Sequence, residues 1–193
     1  MQYDESGLTK QTQYPHLIVP IDSSKPDTAF GTSYNGTVSA TVSSIFNFDV
    51  KASDAGKTCS LIFLFPWQSQ LETSSYEVAG NGSIDFYMLN SPATTGTTFK
   101  NVPAVKTEYG MAKLEPGHSY SVANFPCPGG SAIGIKAEAC GDTYLNYFQD
   151  YNPSRKSLIS FTANEMTADQ ETSHWTLPFN MLSYGGMVSY SKE

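Results

Sequence analysis

Five aromatic residues stand where they could meet a ligand: Trp67, just past an apolar run, and Tyr144, Tyr147, Phe148 and Tyr151, within Gly141-Asp-Thr-Tyr-Leu-Asn-Tyr-Phe-Gln-Asp-Tyr-Asn-Pro153. Tyr and Trp join a large apolar face to a polar tip, so such a set can stack on sugar rings at little entropic cost. In a strand, Leu145, Tyr147 and Tyr151 share one face, and Tyr144, Asn146, Phe148 and Asp150 share the other. One of these faces packs on a core, and packing inside a sandwich is the commoner use of such rings.

Residues for catalysis are sparse. His16, His118 and His174 lie in different regions, and no Gly-x-Ser-x-Gly elbow accompanies them. Gly129-Gly-Ser131 continues as Ala-Ile and fails that pattern. Gly80-Asn-Gly82 is too short for a phosphate-binding fingerprint and precedes a strand, not a helix. Glycosidases on β scaffolds set two carboxylates on facing strands. Glu72, Asp85, Glu138, Asp142 and Asp150 are available, yet none forms a Glu-x-Asp-x-Glu run that would group acids on one strand face. No catalytic residue is assigned. Oxygen-rich loops around Asp22, Asp27, Asp49 and Asp54 are weak calcium candidates, without EF-hand spacing. Zinc is disfavoured, because there is no Cys-x-x-Cys and no close His pair.

Composition narrows the class. Of 193 residues, 15% are charged and 13% aromatic, and Ser, Thr, Gly and Asn abound, which is the profile of an extracellular all-β domain. The formal charge of -7 argues against nucleic acid and against an anionic membrane surface. No apolar run nears the ~18 residues of a membrane span. The first residues, Met1 to Gln13, are polar and lack the apolar centre of a signal peptide, so a secreted protein would have lost its signal ahead of Met1. Asn35-Gly-Thr and Asn81-Gly-Ser are N-glycosylation acceptors in turn-like settings.

Three cysteines allow one bridge and a leftover thiol, or none. Cys59 opens an apolar strand and Cys127 closes another before a Pro-Gly-Gly turn, which favours Cys59–Cys127. Cys127–Cys140 across a hairpin is the rival, and three buried thiols remain open.

The elements that would position these residues are strands. From Thr37 to Val50, Val38, Ala40, Val42, Ser44, Phe46, Phe48 and Val50 alternate with Thr37, Ser39, Thr41, Ser43, Ile45, Asn47 and Asp49, which predicts one long half-buried strand, bent or bulged near Ser43-Ser44. Leu61 to Phe65 is apolar on both faces and predicts a central strand covered on both sides. Further strands are expected around Ile84–Met88, Tyr120–Phe125, Ile133–Ile135, Leu145–Tyr151 and Ser157–Phe161. Thr162 to Glu171, with Thr162 and Glu165 at capping-box spacing, is the one plausible short helix. Turn signals every 10 to 15 residues point to an all-β antiparallel β-sandwich, jelly-roll-like or Ig-like, with at most one or two short helices. The expected organisation is a flexible segment 1–13, a sandwich 14–162 and an extension 163–193.

Tyr14-Pro-His-Leu-Ile-Val-Pro-Ile21, Gly56-Lys-Thr-Cys-Ser-Leu-Ile-Phe-Leu-Phe-Pro66, Leu71-Glu-Thr-Ser-Ser75, Gly82-Ser-Ile-Asp-Phe86 and Asn146-Tyr-Phe-Gln-Asp-Tyr-Asn-Pro153 together resemble the fungal ubiquitin-3-binding protein But-two C-terminal domain family. The resemblance covers about residues 14 to 160. It implies a secreted or cell-wall-associated protein with one β-rich domain and no catalytic residues to carry over. It also implies cysteines where Cys59 and Cys127 stand, which supports their pairing; Cys140 and the chain beyond Pro153 depart from it. The expected function is a non-enzymatic fungal surface or cell-wall protein that binds cell-wall polysaccharide. A protein-interaction module and a wall-modifying hydrolase are the alternatives.

Overall fold

A computed structural model describes residues 12–71, 74–149 and 159–164. Within them run eleven strands, numbered along the chain, and two single turns of 3-10 helix at Ala52–Asp54 and Gln68–Gln70. Five strands form one antiparallel sheet in the order β1 (Leu17–Asp22), β3 (Val42–Asp49), β9 (Ala132–Ala139), β6 (Ser83–Leu89) and β7 (Val105–Lys113). Two three-stranded sheets complete the set. One has the order β2 (Asn35–Val38), β10 (Tyr144–Phe148), β5 (Tyr76–Ala79); the other β11 (Ile159–Asn164), β4 (Thr58–Phe65), β8 (His118–Pro126). The fold is an all-β antiparallel sandwich, as the turn rhythm predicts.

Rings close the space between the layers. Phe46 of the large sheet lies 6.2 Å from Tyr147 of β10, and Phe48 meets Phe161 of β11 edge-on at 5.3 Å. Phe63 of β4 touches Phe86 of β6 at 6.1 Å and Tyr147 at 5.9 Å. The two small sheets are also fastened to each other: the Gln149 side chain accepts from the Ile159 N–H and donates to its C=O. The Cys59–Cys127 disulfide forms as expected and ties β4 to the chain just beyond β8, while Cys140 stays a thiol.

Several sequence expectations change. The alternating run Thr37–Val50 is two strands, not one, because the chain leaves β2 at Ser39 and enters β3, in the opposite layer, at Val42. A tight turn makes the crossing: Ser39 and Val42 bond through their backbones, and Ser44 Oγ holds both the N–H and the C=O of Thr37. The expected wet face of β3 is also dry at Ile45 and Asn47. A second small cluster with Val19, Ile21, Leu89 and Ala93 covers it, and the buried Asn47 amide donates 2.7 Å to the Ala93 carbonyl and accepts 3.0 Å from its N–H.

β4 is central but covered on one side only. Cys59, Leu61, Phe63 and Phe65 are buried, whereas Ser60, Ile62 and Leu64 are half-exposed. Thr162 lies in β11 opposite Ser60, so the helix does not begin there; the rest of that expected helix, residues 165–171, lies outside the described residues. Most of the expected extension 163–193 lies outside them too. Gln13, placed in the flexible segment, instead bridges to Phe161, and its side chain reaches the buried Asp54. β7 was not foreseen, since its residues are largely exposed and carry no alternation.

Candidate binding groove

Glycines shape a concave surface beside the turn from β5 to β6. Gly80-Asn81-Gly82 joins β5 to β6, with Gly80 at φ +78 and Gly82 at φ +74. Both angles suit glycine. The contacts require it as well: a Cβ at Gly80 would strike the Asp142 carbonyl, and one at Gly82 the Leu114 carbonyl. The turn is locked further by Asp142, whose Oδ1 accepts from the Asn81 N–H at 3.0 Å. The buried Thr143 hydroxyl accepts from Ser83 N–H at 2.9 Å and sits 2.7 Å from Asn81 Oδ1.

Beside this locked turn lies a groove of about 340 Å³. Val78 and Ala79 of β5 form one wall, Lys113, Glu115 and Pro116 the other, and the buried Leu114 closes the bottom. A second groove, of about 170 Å³, lies between Pro20, Phe30 and Val42.

Among the described residues the β5 wall is a strand edge. The Phe148 N–H donates to the Ser75 carbonyl, and the ladder then runs Asn146 with Glu77 and Tyr144 with Ala79. In an antiparallel pair the hydrogen-bonded residues alternate. Tyr76 and Val78 therefore turn their N–H and C=O groups away from β10. The Tyr76 N–H is met by Gln68 Oε1 at 3.3 Å. Among the described residues nothing meets the N–H or C=O of Val78, a residue 40% exposed. Open main-chain groups at a strand edge can receive another strand.

Trp67 stands next to this groove. It is 56% exposed, and its indole lies on Gly117, one residue past the Pro116 wall; a Cβ at Gly117 would overlap the ring. Gln70 fixes the Trp67 backbone by accepting from its N–H at 2.8 Å. His118 continues the same turn, with Nδ1 3.2 Å from the Pro116 carbonyl.

The other expected platform rings separate. Tyr147 points into the core and offers no face to a ligand, which corrects its placement in a platform. Its neighbours Tyr144 and Phe148 are half-buried on the opposite face of β10. Between them Asn146 Oδ1 accepts from Asn35 Nδ2 at 2.9 Å and from the Thr37 hydroxyl at 3.3 Å. Tyr151 lies outside the described residues. Three exposed rings that the sequence reading missed, Phe30, Tyr34 and Phe99, lie in loops whose irregular backbone gives no periodic signal.

The acids disperse. Asp22 accepts from the Ser24 hydroxyl and N–H, which hold its carboxyl below the usual range; Asp27 pairs with Lys100, Asp49 with His16 and the buried Asp54 with Lys57. Among the described residues no three His, Cys, Asp or Glu side chains converge as metal ligands. Asp85 and Glu138 do meet, directly opposite each other on β6 and β9. Asp85 accepts from the Cys140 thiol at 2.7 Å and Glu138 from Lys136 at 2.6 Å, and neither lines either groove. Glu72, Asp150 and His174 lie outside the described residues.

Residues 13–153 match the family described as ubiquitin 3 binding protein But2 C-terminal domain. The chain is also similar to an uncharacterized but2-like protein of Schizosaccharomyces pombe, with 28% identity over 151 residues. That alignment covers 72% of this chain and 31% of the yeast protein, so the chain spans about a third of that relative's length. With most of its strands inside the matched range, the chain belongs to the But2 C-terminal domain family.

Proposed function

We propose that this domain is a non-catalytic binding module that accepts an extended polypeptide as an added strand on the open edge of β5. One observation carries the reading: the outward N–H and C=O of Val78 border a groove of about 340 Å³. Main-chain hydrogen bonds to an added strand would satisfy them, while the groove sorts side chains. Trp67, held on Gly117, would supply an aromatic anchor beside the groove. The family description, with its mention of ubiquitin 3 binding, supports a protein partner. The buried Cys59–Cys127 bridge supports an oxidising setting, secreted or at the cell wall.

Cell-wall polysaccharide is the second reading, and the outer face of β10 favours it. There Tyr144 and Phe148 flank a ready-made amide and hydroxyl group, Asn35, Thr37 and Asn146.

A randomised peptide library displayed on phage and selected on the domain separates the two. Strand addition predicts enriched peptides that shift the NMR signals of Val78, Gly80 and Glu115. It also predicts at least about tenfold weaker binding to Val78→Pro, which lacks the outward donor but keeps the ladder to β10. Failure to enrich any peptide, or equal binding to Val78→Pro, rules strand addition out. Shifts at Tyr144, Asn146 and Phe148 on adding laminarin or chitohexaose would establish the polysaccharide reading instead.

A further inference from the structure

The two Asn-Gly-Ser/Thr tripeptides are chemically equivalent in sequence and unlike in the fold. Asn35 begins β2, and its Nδ2 already donates to Asn146 Oδ1 at 2.9 Å within the half-buried face of the sheet. Its Thr37 hydroxyl reaches the same oxygen. A sugar on Asn35 Nδ2 would take one of its two hydrogens and crowd the half-buried face between β2 and β10. Asn81 is exposed on the turn between β5 and β6. Its Oδ1 is engaged by the Ser83 N–H at 2.8 Å, but among the described residues its Nδ2 has no hydrogen-bond partner. Gly141 opposes that nitrogen, and a Cβ there would come within 2.8 Å of it, so only glycine at 141 leaves room for the Asn81 amide. Asn81 also lines the groove beside β5.

We propose that Asn81 is the N-glycan acceptor of this chain, that Asn35 is a structural strut, and that the Asn81 glycan stands at the groove and hinders strand addition on β5. The last clause rests on the binding reading above. In the transfer, Asn81 Nδ2 attacks the anomeric carbon of a lipid-diphosphate-linked oligosaccharide. An N–C bond forms, the C–O bond to the diphosphate breaks, the lipid diphosphate leaves, and the amide nitrogen gives up one proton. The carbohydrate is then larger than the groove and shares its edge.

The full chain, secreted from a eukaryotic host behind an added signal, tests this as wild type, Asn35→Gln, Asn81→Gln and Ser83→Ala. Intact masses before and after endoglycosidase should show one removable glycan on wild type and Asn35→Gln, and none on Asn81→Gln or Ser83→Ala. Ser83→Ala keeps the Asn81 side chain that braces the turn, so loss of the glycan there is not a folding artefact. A bare wild-type chain, or a glycan mapped to Asn35, overturns the assignment. The phage-selected peptides should bind at least about tenfold more tightly once the glycan is removed, and unchanged affinity overturns the hindrance. If no peptide is selected at all, strand addition and the hindrance fall together, while the masses still decide which asparagine is modified.

Discussion

The ring of Tyr147 fills the space that a side chain at Gly36 would need, and its hydroxyl ends in the core without a hydrogen-bond partner among the described residues. The two residues face each other across β10 and β2. Replacing Gly36 with Ala should push the ring off its seat and cost about 1–3 kcal/mol, as overpacking does. Tyr147→Phe removes only the unpaired oxygen. It should be neutral or stabilise by up to about 1 kcal/mol, since the desolvated hydroxyl returns nothing. Urea denaturation of both variants checks the pair, and a strongly destabilised Tyr147→Phe would mean that the hydroxyl has a partner.

Burial pushes the Tyr147 phenol well above its ordinary value of 10.0, and the half-buried Tyr109 up to about 12. The sign of the stability effect follows. Below about pH 10 both states hold the proton and nothing is lost. Above it the unfolded phenol ionises first, so the unfolded state gains and stability falls as pH rises. Thermal melts from about pH 8 to about pH 11 should show this loss, and Tyr147→Phe should reduce it. A flat profile in wild type would contradict the burial.

The Cys59–Cys127 bridge spans 68 residues of chain. Opening a loop of that length removes about 4 kcal/mol in the chain-entropy account. The double variant Cys59→Ala, Cys127→Ala should therefore melt far below wild type. A reductant should produce a comparable drop in wild type and none in the variant.

Cys140 donates to Asp85, and that hydrogen bond, with burial, pushes its thiol from 9.0 to about 11. Only thiolate attacks an alkylating agent. At pH 8 Cys140 should react with iodoacetamide about a hundredfold more slowly than an ordinary exposed thiol, and Asp85→Asn should speed it at least about tenfold. Peptide mapping after timed alkylation reads both rates; a fast wild-type reaction would show that Asp85 does not hold the proton.

Asn47 pins residues 90–104 to the outer face of β3 through two bonds to Ala93. Asn47→Ala leaves both Ala93 groups unpaired and should cost about 2–4 kcal/mol. Hydrogen exchange should rise first at Ala93, ahead of β3 itself. Uniform loss of protection would mean that the segment and the sheet open together.

The local code was plain where burial alternates with polarity. Phe46 and Phe48 announced a core face, Gly80-Asn81-Gly82 announced a turn, and the positions of Cys59 and Cys127 announced the bridge. The code failed where a side chain's surroundings come from distant chain. Asn47 reads as a wet strand residue, and only the fold of residues 90–104 over it makes it dry. β7 reads as loop, because an edge strand exposed on much of its surface has no pattern to display. Trp67 was singled out as a ring, yet nothing in its neighbours names Gly117 as its seat.

The amino-acid order by itself determined the class: short strands, glycine turns, an acidic chain and a family of motifs that a sandwich satisfies. Tertiary structure decided which ring is core and which is surface, because the two faces of β10 differ only in what lies above them. It also decided that β5 ends its sheet among the described residues. An edge is the absence of a neighbour, a relation among strands far apart in the chain, and no residue of Tyr76–Ala79 encodes it alone.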